Sequence, residues 1–340
     1  MRSIIARIKS HGESDFFWNE RNATLLIFHE KSSVESRKLV LLFGFGLIGS
    51  AIARRLEWNK YACIFRFDTS WSDAKLREKQ FLAIKQAVFE IGRKESCELH
   101  LVWSAGKGGF ASSETDLRDE QTSFDATLSL FQTLLPSQKG IFHFISSAGG
   151  LFEGQRLVEQ TSEPNPLRPY GVMKLHQEMQ LAGLEDGAHR RTRIYRPSTV
   201  FGAQEFNFRS GLISHLIWNA LRNQPTTLES NLQALRDYVF VEDVGRYVVR
   251  KIQTGMNDSD EVCHLVSSKP SSIFEVTRKV QKLLGKAILY QFSDVHQNNA
   301  NITFCRNALP QDWSPANLDF GLSEVLRKTR MFIYGAPSSK

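Results

Sequence analysis

The chain is 340 residues long, 41% of its residues are hydrophobic, and its 43 lysines and arginines exceed its 36 aspartates and glutamates, giving a formal net charge of +7. This length predicts about two domains, or one large domain with insertions. No apolar run approaches the roughly 18 residues that span a bilayer, and the first residues lack the apolar stretch of a secretory signal; both observations argue against a membrane partner and predict a globular protein of the cytoplasm.

Cysteine spacing and charge distribution argue against two further classes of protein. The four cysteines, which are Cys63, Cys97, Cys263 and Cys305, are scattered and form no C-x-x-C pair. This pattern speaks against structural zinc and against a disulfide framework, so no metal site is predicted. The basic residues are dispersed and form no block of lysines and arginines, so the sequence does not indicate nucleic acid, whereas a small anionic substrate fits the charge.

The first clear element is a strand, a turn and a helix within residues 39–56. Gly44, Gly46 and Gly49 follow an apolar run in the G-x-G-x-x-G spacing. The first glycine of this motif permits the turn, the second lets the backbone approach a pyrophosphate, and the third lets the helix pack on the strand. The N–H groups that begin the helix then point at the phosphates. The predicted dinucleotide site comprises Gly44, Phe45, Gly46, Leu47, Ile48 and Gly49. The alternative is a glycine-rich turn without a ligand.

The elements that follow alternate between strands and helices. Strands are expected over 61–68, 97–106 and 140–150, and helices over 73–93 and up to about 135. Such alternation indicates a parallel sheet with crossover helices, which binds ligands at the carboxyl ends of its strands. We therefore predict an α/β fold, a Rossmann-type doubly wound parallel sheet with a smaller C-terminal α/β substrate domain.

The chain is predicted to divide into three parts. Residues 1–37 form an N-terminal extension, to which no function is assigned and in which 23–28 fits a strand. Residues 38–200 form the dinucleotide-binding domain. Residues 201–340 form a mainly substrate-binding region, with some segments that return to the sheet.

A carboxylate ends the second predicted strand of the dinucleotide-binding domain. Asp68 follows Gly44 by roughly the interval, about 20 residues, at which an acid accepts hydrogen bonds from the adenosine ribose. A carboxylate there repels a 2′-phosphate and favours NAD, whereas the nearby Arg66 keeps NADP open as the alternative. Only one strand is visible between the first helix and the helix that begins near Asp73, where such domains often have two.

A second group of residues points to redox chemistry. Tyr170 and Lys174 are four residues apart in RPYGVMKLHQE, so a helix places them on one face. A lysine ammonium beside a phenol favours the phenolate, which can act as acid or base for an alcohol. Ser147 ends an apolar strand, where its hydroxyl can hold the substrate oxygen. Beside a dinucleotide, the trio describes alcohol–ketone redox chemistry with a nicotinamide. The alternatives are a surface helix with an aromatic anchor and a serine that forms a turn.

These pieces resemble, in order and spacing, the NAD-dependent sugar-nucleotide epimerase/dehydratase family of the extended short-chain dehydrogenases/reductases. The motifs lie within roughly residues 39–330 and read GFGLIG, SAG, FISSAGG, YGVMKLHQE, RPSTVFG, RDYVFVEDV and SSKPSSIFEVTRKVQKLLG. The resemblance implies that Ser147, Tyr170 and Lys174 are catalytic and that Lys174 also binds the nicotinamide ribose. Further cofactor contacts are implied for Ala105, Gly106, Pro197 and Ser198, and substrate contacts for Ser147, Thr199 and Arg236.

Arg236 matches a position that usually contacts the diphosphate of the substrate, a role suited to a guanidinium fork. A structural ion pair is the alternative for this arginine. Three departures from the family bear on the reaction. Ala148 and Gly149 stand where dehydratases usually carry an acidic pair, which disfavours dehydration. Thr199 stands where the family often has asparagine, and the loop WSAGKGGF lacks the usual His-Ala-Ala form, which leaves the sugar open.

The resemblance implies an NAD-dependent epimerase of a nucleotide-diphosphate sugar. Tyr170 is expected to remove a sugar hydroxyl proton, most often at C4, while a hydride moves to NAD and later returns to the opposite face of the keto sugar. A keto-sugar reductase that consumes NAD(P)H is the alternative with the same residues, and a non-catalytic dinucleotide-sensing protein is a third interpretation. Family habit also implies a homodimer through helices of the first domain.

Overall fold

A computed structural model of the chain describes residues 24–30, 37–67, 69–92, 97–106, 108–109, 112–134, 139–184, 190–203, 211–228, 231–257, 262–293 and 300–335. The strands are β1 (Leu25–Glu30), β2 (Arg37–Phe43), β3 (Tyr61–Phe67), β4 (Cys97–Trp103), β5 (Gly140–Ile145), β6 (Arg190–Pro197), β7 (Thr199–Phe201), β8 (Thr226–Leu228), β9 (Leu235–Arg236), β10 (Tyr238–Phe240), β11 (Val262–Leu265), β12 (Ser271–Ser272) and β13 (Tyr290–Phe292). The helices are α1 (Leu47–Trp58), α2 (Ala74–Gly92), α3 (Glu114–Leu134), α4 (Ala148–Leu151), α5 (Pro169–Ala182), α6 (Leu212–Leu221), α7 (Val241–Thr254), α8 (Ile273–Leu284) and α9 (Leu318–Tyr334).

A mostly parallel sheet of seven strands confirms the predicted fold class. Its strand order is β11-β6-β5-β4-β2-β1-β3. Strands β2, β4, β5 and β6 pair in parallel, and helices connect them in the chain. Their carboxyl ends therefore meet at one edge of the sheet, where a doubly wound fold binds its ligands.

Strand β1 departs from a purely parallel sheet. It lies between β2 and β3 and runs antiparallel to both, with Leu25 opposite Phe43 on one side and opposite Phe67 on the other. Its residues 25–29 are buried, because the strand is covered on both faces of the sheet. The segment expected to fit a strand within residues 1–37 is thus an interior strand of the sheet.

Alternation along the strands sends two sets of side chains to opposite faces. On one face, aromatic side chains of β4 and β5 pack against α3, with 5.6 Å between the ring centroids of Trp103 and Phe124 and 5.9 Å between those of Phe124 and Phe142. On the other face, α7 packs closely against α1. A Cβ on Gly245 of α7 would lie only 2.9 Å from the backbone of Ala51 on α1. Glycine at this position lets the two helices approach.

The chain divides into two compact units. The first contains the described residues of 1–146, 168–195 and 245–262, and the second those of 147–167, 196–244 and 263–340. The second unit has an apolar core of its own, built from β7, β10, α6, α8 and α9, which includes Phe201, Leu216, Phe240, Val276 and Val325. The domain boundaries set out from the sequence, after residues 37 and 200, stay predictions.

Candidate active site

The glycine turn lies at the carboxyl end of β2, in the first unit. Gly44 has a φ of 93°, a conformation that favours glycine, and a Cβ there would collide with the backbone of Ala105. A Cβ on Gly49 would collide with the carbonyl group of Gly44. By contrast, a Cβ on the exposed Gly46 would meet no atom within 4 Å. The first and third glycines thus shape the turn, whereas the second leaves the backbone open to approach.

Helix α1 begins directly after this open position. Gly46 is its N-cap, no side chain caps the first turn, and that turn contains no acidic residue. Leu47 and Ile48, the first residues of the helix, are half-buried, and Phe45 before them is exposed. An uncapped helix start with no nearby carboxylate in its first turn suits an anion such as a pyrophosphate.

The loop after β4 joins the glycine turn to helix α5. Ser104 donates from its backbone N–H to the Phe43 carbonyl oxygen at 2.8 Å and from its hydroxyl to the Gly44 carbonyl oxygen at 3.1 Å. Further along, a Cβ on Gly106 would lie 3.3 Å from Lys174 Nζ, and one on Gly108 would lie 3.1 Å from the Tyr170 ring. Ala105 and Gly106 thus lie between the turn and the predicted catalytic pair.

Tyr170 and Lys174 occupy the first turns of α5. Pro169 begins this helix, a position that proline favours because its missing N–H has no intrahelical partner there. Lys174 Nζ lies 5.8 Å from the centroid of the Tyr170 ring and 5.1 Å from that of Phe144. Lys174 is 3% exposed, whereas Tyr170 is half-buried. The structure therefore brings together the ammonium and the phenol that the four-residue spacing predicts.

A carboxylate that the sequence analysis did not single out holds Lys174. Glu120 on α3 accepts from Lys174 Nζ at 2.8 Å through Oε1 and from the Gly108 N–H at 2.7 Å through Oε2. Both side chains of the ion pair are buried. Burial lowers the pKa of Lys174, but the charge of Glu120, with smaller contributions from Tyr170 and Glu178, outweighs it and raises that pKa above its ordinary value.

Ser147 belongs to the second unit, where it caps the short helix α4. Its Oγ accepts from the Gly150 N–H at 3.0 Å, and the residue is half-buried. A hydroxyl that accepts one hydrogen bond keeps its own proton to donate. Ser147 can therefore donate to a substrate oxygen while it caps the helix.

Ser198 of the second unit is held by a buried carboxylate. Its hydroxyl donates to Asp237 Oδ1 at 2.7 Å, and Ser267 donates to the same carboxylate from its backbone N–H at 2.7 Å and from its hydroxyl at 2.9 Å. Burial raises the pKa of Asp237, although the hydrogen bonds from Ser267 and Ser198 oppose that rise. Asp237 thereby fixes the chain that follows Pro197, the last residue of β6.

The two predicted substrate contacts of the second unit differ in exposure. Thr199 begins β7 and is exposed, and its backbone N–H donates to the Asp237 carbonyl oxygen at 3.0 Å. Arg236 is 7% exposed, and its guanidinium donates to the carbonyl oxygens of Leu235, at 2.9 Å, and of Ala300. Arg236 is thus anchored to the backbone.

Asp68, the predicted ribose contact, lies outside the described residues, as does the side chain of Arg66. At the carboxyl end of the sheet, Thr24, which directly precedes β1, lies beside the glycine turn. The Gly44 N–H donates to the Thr24 carbonyl oxygen at 2.8 Å. Sequence reasoning did not name Thr24, because a strand order cannot be read from one short apolar segment.

A separate groove of about 1120 Å³ lies in the second unit, at the ends of α8 and α9. Its lining includes Lys279 and Asp319, which form an ion pair of 2.7 Å. None of the predicted site residues lines this groove. Within the described ranges, no group of three or more potential ligand side chains could hold a metal ion, and no helix combines the length and apolarity that crossing a bilayer requires.

The stretch of the chain that contains the glycine turn, Tyr170 and Lys174 also matches known proteins. A family model described as "NAD dependent epimerase/dehydratase family" matches residues 40–263. A relative from Methanocaldococcus jannaschii, provisionally named a UDP-glucose 4-epimerase, is 25% identical over 256 residues, which cover 71% of this chain and 81% of the relative.

Two solved structures share the fold. The UDP-glucose 4-epimerase of Thermotoga maritima, crystallised with UDP-glucose, aligns with a TM-score of 0.66 and 18% identity over 84% of this chain and 96% of that chain. The UDP-glucuronic acid 4-epimerase of Bacillus cereus, in complex with UDP-glucuronic acid and NAD, aligns with a TM-score of 0.61 and 21% identity over 72% of this chain and 78% of that chain.

Proposed function

Because the chain belongs to the NAD-dependent epimerase/dehydratase family, we propose that it is an NAD-dependent epimerase that inverts a hydroxyl-bearing carbon of a nucleotide-diphosphate sugar. The observation that carries this proposal is the arrangement of Tyr170 and Lys174 beside the loop that joins them to the glycine turn. A phenol and a buried ammonium next to a dinucleotide turn supply what the oxidation of an alcohol needs.

The residues of the first unit fit a dinucleotide. The open Gly46 and the uncapped start of α1 would receive the pyrophosphate, and Ala105 and Gly106 would line the cofactor. Lys174 would bind the nicotinamide ribose, and Pro197 and Ser198 would approach the nicotinamide. A bound NAD would supply the hydride acceptor, and later the hydride donor, for the sugar carbon.

The side chains divide the proton chemistry between them. Tyr170 takes the proton of the sugar hydroxyl and gives it back when the keto sugar is reduced. Lys174 keeps a positive charge near the phenol, and its raised pKa preserves that charge at neutral pH. Ser147 donates a hydrogen bond to the reacting sugar oxygen.

Epimerisation is favoured over loss of water by the residues that follow Ser147. Ala148 and Gly149 begin helix α4 and carry no titratable group. Elimination of water across the sugar ring needs an acid and a base beyond the tyrosine, and these two positions supply neither.

Substrate recognition is proposed for two residues of the second unit. Arg236, held by two backbone carbonyl groups, would bind the diphosphate through its guanidinium. The exposed Thr199 would contact the sugar or its nucleotide. A screen of UDP-, GDP- and dTDP-sugars for thermal stabilisation and product formation would identify the nucleotide base and the sugar.

The substitution Tyr170→Phe removes the phenol hydroxyl that the proposed reaction requires. The variant keeps the ring but loses the hydroxyl, so kcat for epimerisation should fall by about 10²- to 10⁴-fold. Binding of the sugar nucleotide should persist, which its shift of the melting temperature would report. Product formation from the sugar that stabilises the wild-type protein is the assay.

Three outcomes separate this proposal from its rivals. Turnover that consumes added NAD(P)H would identify a keto-sugar reductase instead. Full biological activity in Tyr170→Phe would identify a dinucleotide sensor. A wild-type protein that binds neither a dinucleotide nor a sugar nucleotide would overturn the proposal altogether.

A homodimer and a cytoplasmic location complete the proposal. Helix α5 exposes Val172 and Met179, which are seven residues apart and therefore on one face of the helix. Such a face suits pairing with a second copy of the chain. Sedimentation of the purified protein would give its oligomeric state, and imaging of the tagged protein its location.

A further inference from the structure

The antiparallel strand β1 changes the part of the sheet that normally reads the adenosine ribose. In a doubly wound sheet, the strand beside the glycine-turn strand ends with the residue that contacts this ribose. Here the neighbour of β2 is β1, and β3 lies one place further out. Because β1 runs in the opposite direction, its beginning lies at the edge where its neighbours end.

Thr24 occupies that position between the ends of β2 and β3. Its carbonyl oxygen accepts from the Gly44 N–H at 2.8 Å, and its own N–H donates to the Phe67 carbonyl oxygen at 2.9 Å. Its hydroxyl accepts from the Thr69 N–H at 2.6 Å. Three hydrogen bonds thus fix Thr24 between the glycine turn and the end of β3.

Strand spacing decides which residue can reach a ribose placed against the turn. Neighbouring strands lie about 4.8 Å apart, so the ends of β2 and β3 are separated by two spacings, about 9.6 Å, instead of one. A hydrogen bond spans about 3 Å between its heavy atoms. Phe67, the last residue of β3, therefore lies one full strand further from the turn than it would in a sheet without β1.

The chemistry at Thr24 differs from that of a carboxylate. Its hydroxyl accepts one hydrogen bond and keeps a proton that it can donate to a ribose hydroxyl. A neutral hydroxyl does not repel a 2′-phosphate as an acid does. Nearby, Thr69 is 3% exposed and its hydroxyl has no hydrogen-bond partner among the described residues, a situation that is uncommon for a buried polar group.

We propose that Thr24, and not Asp68, contacts the adenosine ribose and sets the balance between NAD and NADP in this protein. The inference rests on the proposed function, since it assumes that the glycine turn binds a dinucleotide. It assigns cofactor discrimination to a residue that precedes the glycine motif in the chain. It follows that the wild-type protein binds NAD and NADP with dissociation constants within about tenfold of each other.

The test measures dissociation constants for NAD and NADP by calorimetry on the full chain. Thr24→Asp places a carboxylate at the ribose and should raise the preference for NAD at least tenfold. Thr24→Ser keeps the hydroxyl and is the matched control, with both constants within about twofold of the wild type. Asp68→Asn should change the ratio of the two constants by less than threefold.

The outcomes distinguish this inference from the function beneath it. A wild-type protein that binds neither dinucleotide overturns the proposed function and, with it, this assignment. A wild-type protein that binds NAD, but whose preference changes with Asp68→Asn and not with Thr24→Asp, overturns this assignment alone. Should Thr24→Asp not fold, Thr24→Val removes the hydroxyl at nearly constant shape and should weaken both dinucleotides by about three- to tenfold; binding as tight as that of Thr24→Ser contradicts the proposal.

Discussion

At the scale of single residues, Glu120 decides the state of the proposed catalytic lysine. One of its carboxylate oxygens accepts from Lys174, and the other accepts from the Gly108 N–H. An ion pair this deeply buried is sensitive to the loss of either partner, because the remaining charge has no water to solvate it. Glu120 is therefore a positioning residue for the lysine and for the loop that lines the proposed cofactor site.

Glu120→Gln should affect both stability and the pH dependence of catalysis. An amide offers one acceptor oxygen where the carboxylate has two, so either Lys174 or Gly108 loses its partner. The free energy of unfolding should fall by about 3 kcal/mol, as when a buried ion pair loses one member, which urea denaturation would measure. The pKa of Lys174, which the negative charge holds up, should fall. The alkaline limb of kcat/KM against pH should then move to lower pH.

The matched control is Glu120→Asp, which keeps the charge and shortens the side chain. It should retain the alkaline limb of the wild type more closely than Glu120→Gln does, even if it lowers the rate. Identical pH profiles for the wild type and Glu120→Gln would show that the carboxylate has only a structural role.

Residue types and spacing predict part of this site and miss another part. Tyr170 and Lys174 are four residues apart, which is local information, and the structure brings them together. Glu120, by contrast, lies within the polar stretch SSETDLRDEQ, and residue type alone does not single it out there. It lies three residues after Leu117 and four before Phe124 on the buried stripe of α3, so a carboxylate at a core position of an amphipathic helix was the available signal. Its partner, however, is 54 residues away in the chain.

At the scale of elements, β1 contributes to the core from an interior position in the sheet, between β2 and the edge strand β3. Leu25 and Ile27 are fully buried and belong to the same apolar cluster as Leu41 and Phe67. Because strands lie on both sides of it, its loss would leave two open edges and uncover both neighbours.

Ile27→Ala should lower the free energy of unfolding by about 2 to 5 kcal/mol, the usual effect of truncating a fully buried aliphatic side chain. The matched control is Leu82→Ala on α2, where the side chain is 57% exposed and the expected change is within about 0.5 kcal/mol. Urea denaturation followed by circular dichroism would measure both. Equal effects of the two variants would show that β1 is not packed as the structure describes.

The elements themselves were largely predictable, and their order in the sheet was not. Apolar runs and helical periodicity predict β3 over 61–68 and α2 over 73–93, and the structure has them over 61–67 and 74–92. The single strand between α1 and α2 is also present. The insertion of β1 was missed, because pairing depends on contacts between distant segments, and a strand that is apolar on both faces gives no sign of its neighbours.

At the scale of the whole molecule, a buried chain of polar side chains crosses three strands of the sheet. His100 Nδ1 lies 2.9 Å from His143 Nε2, and His143 Nδ1 lies 2.8 Å from the Tyr195 hydroxyl. At the other end, His100 Nε2 lies 3.0 Å from Glu98 Oε1. Burial, together with the nearby His100 and Arg193, holds the pKa of His143 well below its ordinary value, and burial also lowers the pKa of His100 despite the approach to Glu98.

Acid should therefore destabilise the fold from about pH 6.5 downward. Below that pH the unfolded chain takes up protons on these imidazoles while the folded protein keeps them neutral, so protonation favours unfolding. Each such histidine contributes a slope of about 1.4 kcal/mol per pH unit until its folded pKa is reached. His143→Gln should reduce the slope of the free energy of unfolding between pH 6.5 and 5 by about that amount.

Urea denaturation at several pH values would measure these slopes. The matched control is His176→Gln, which replaces an exposed imidazole that lies outside this buried chain. A slope in His143→Gln equal to that of the wild type would contradict the assignment of acid sensitivity to this buried chain.

The position of β1 also affects how the chain reaches its fold. β2 and β3 are joined through a helix, a connection that commonly lays two parallel strands side by side. In the folded protein they are kept apart by a segment that the ribosome makes before either of them. Any folding intermediate in which they close on each other leaves that apolar segment in water and has to reopen before it can enter. Folding must therefore favour the seven-stranded sheet, with β1 between β2 and β3, over a six-stranded sheet that lacks β1.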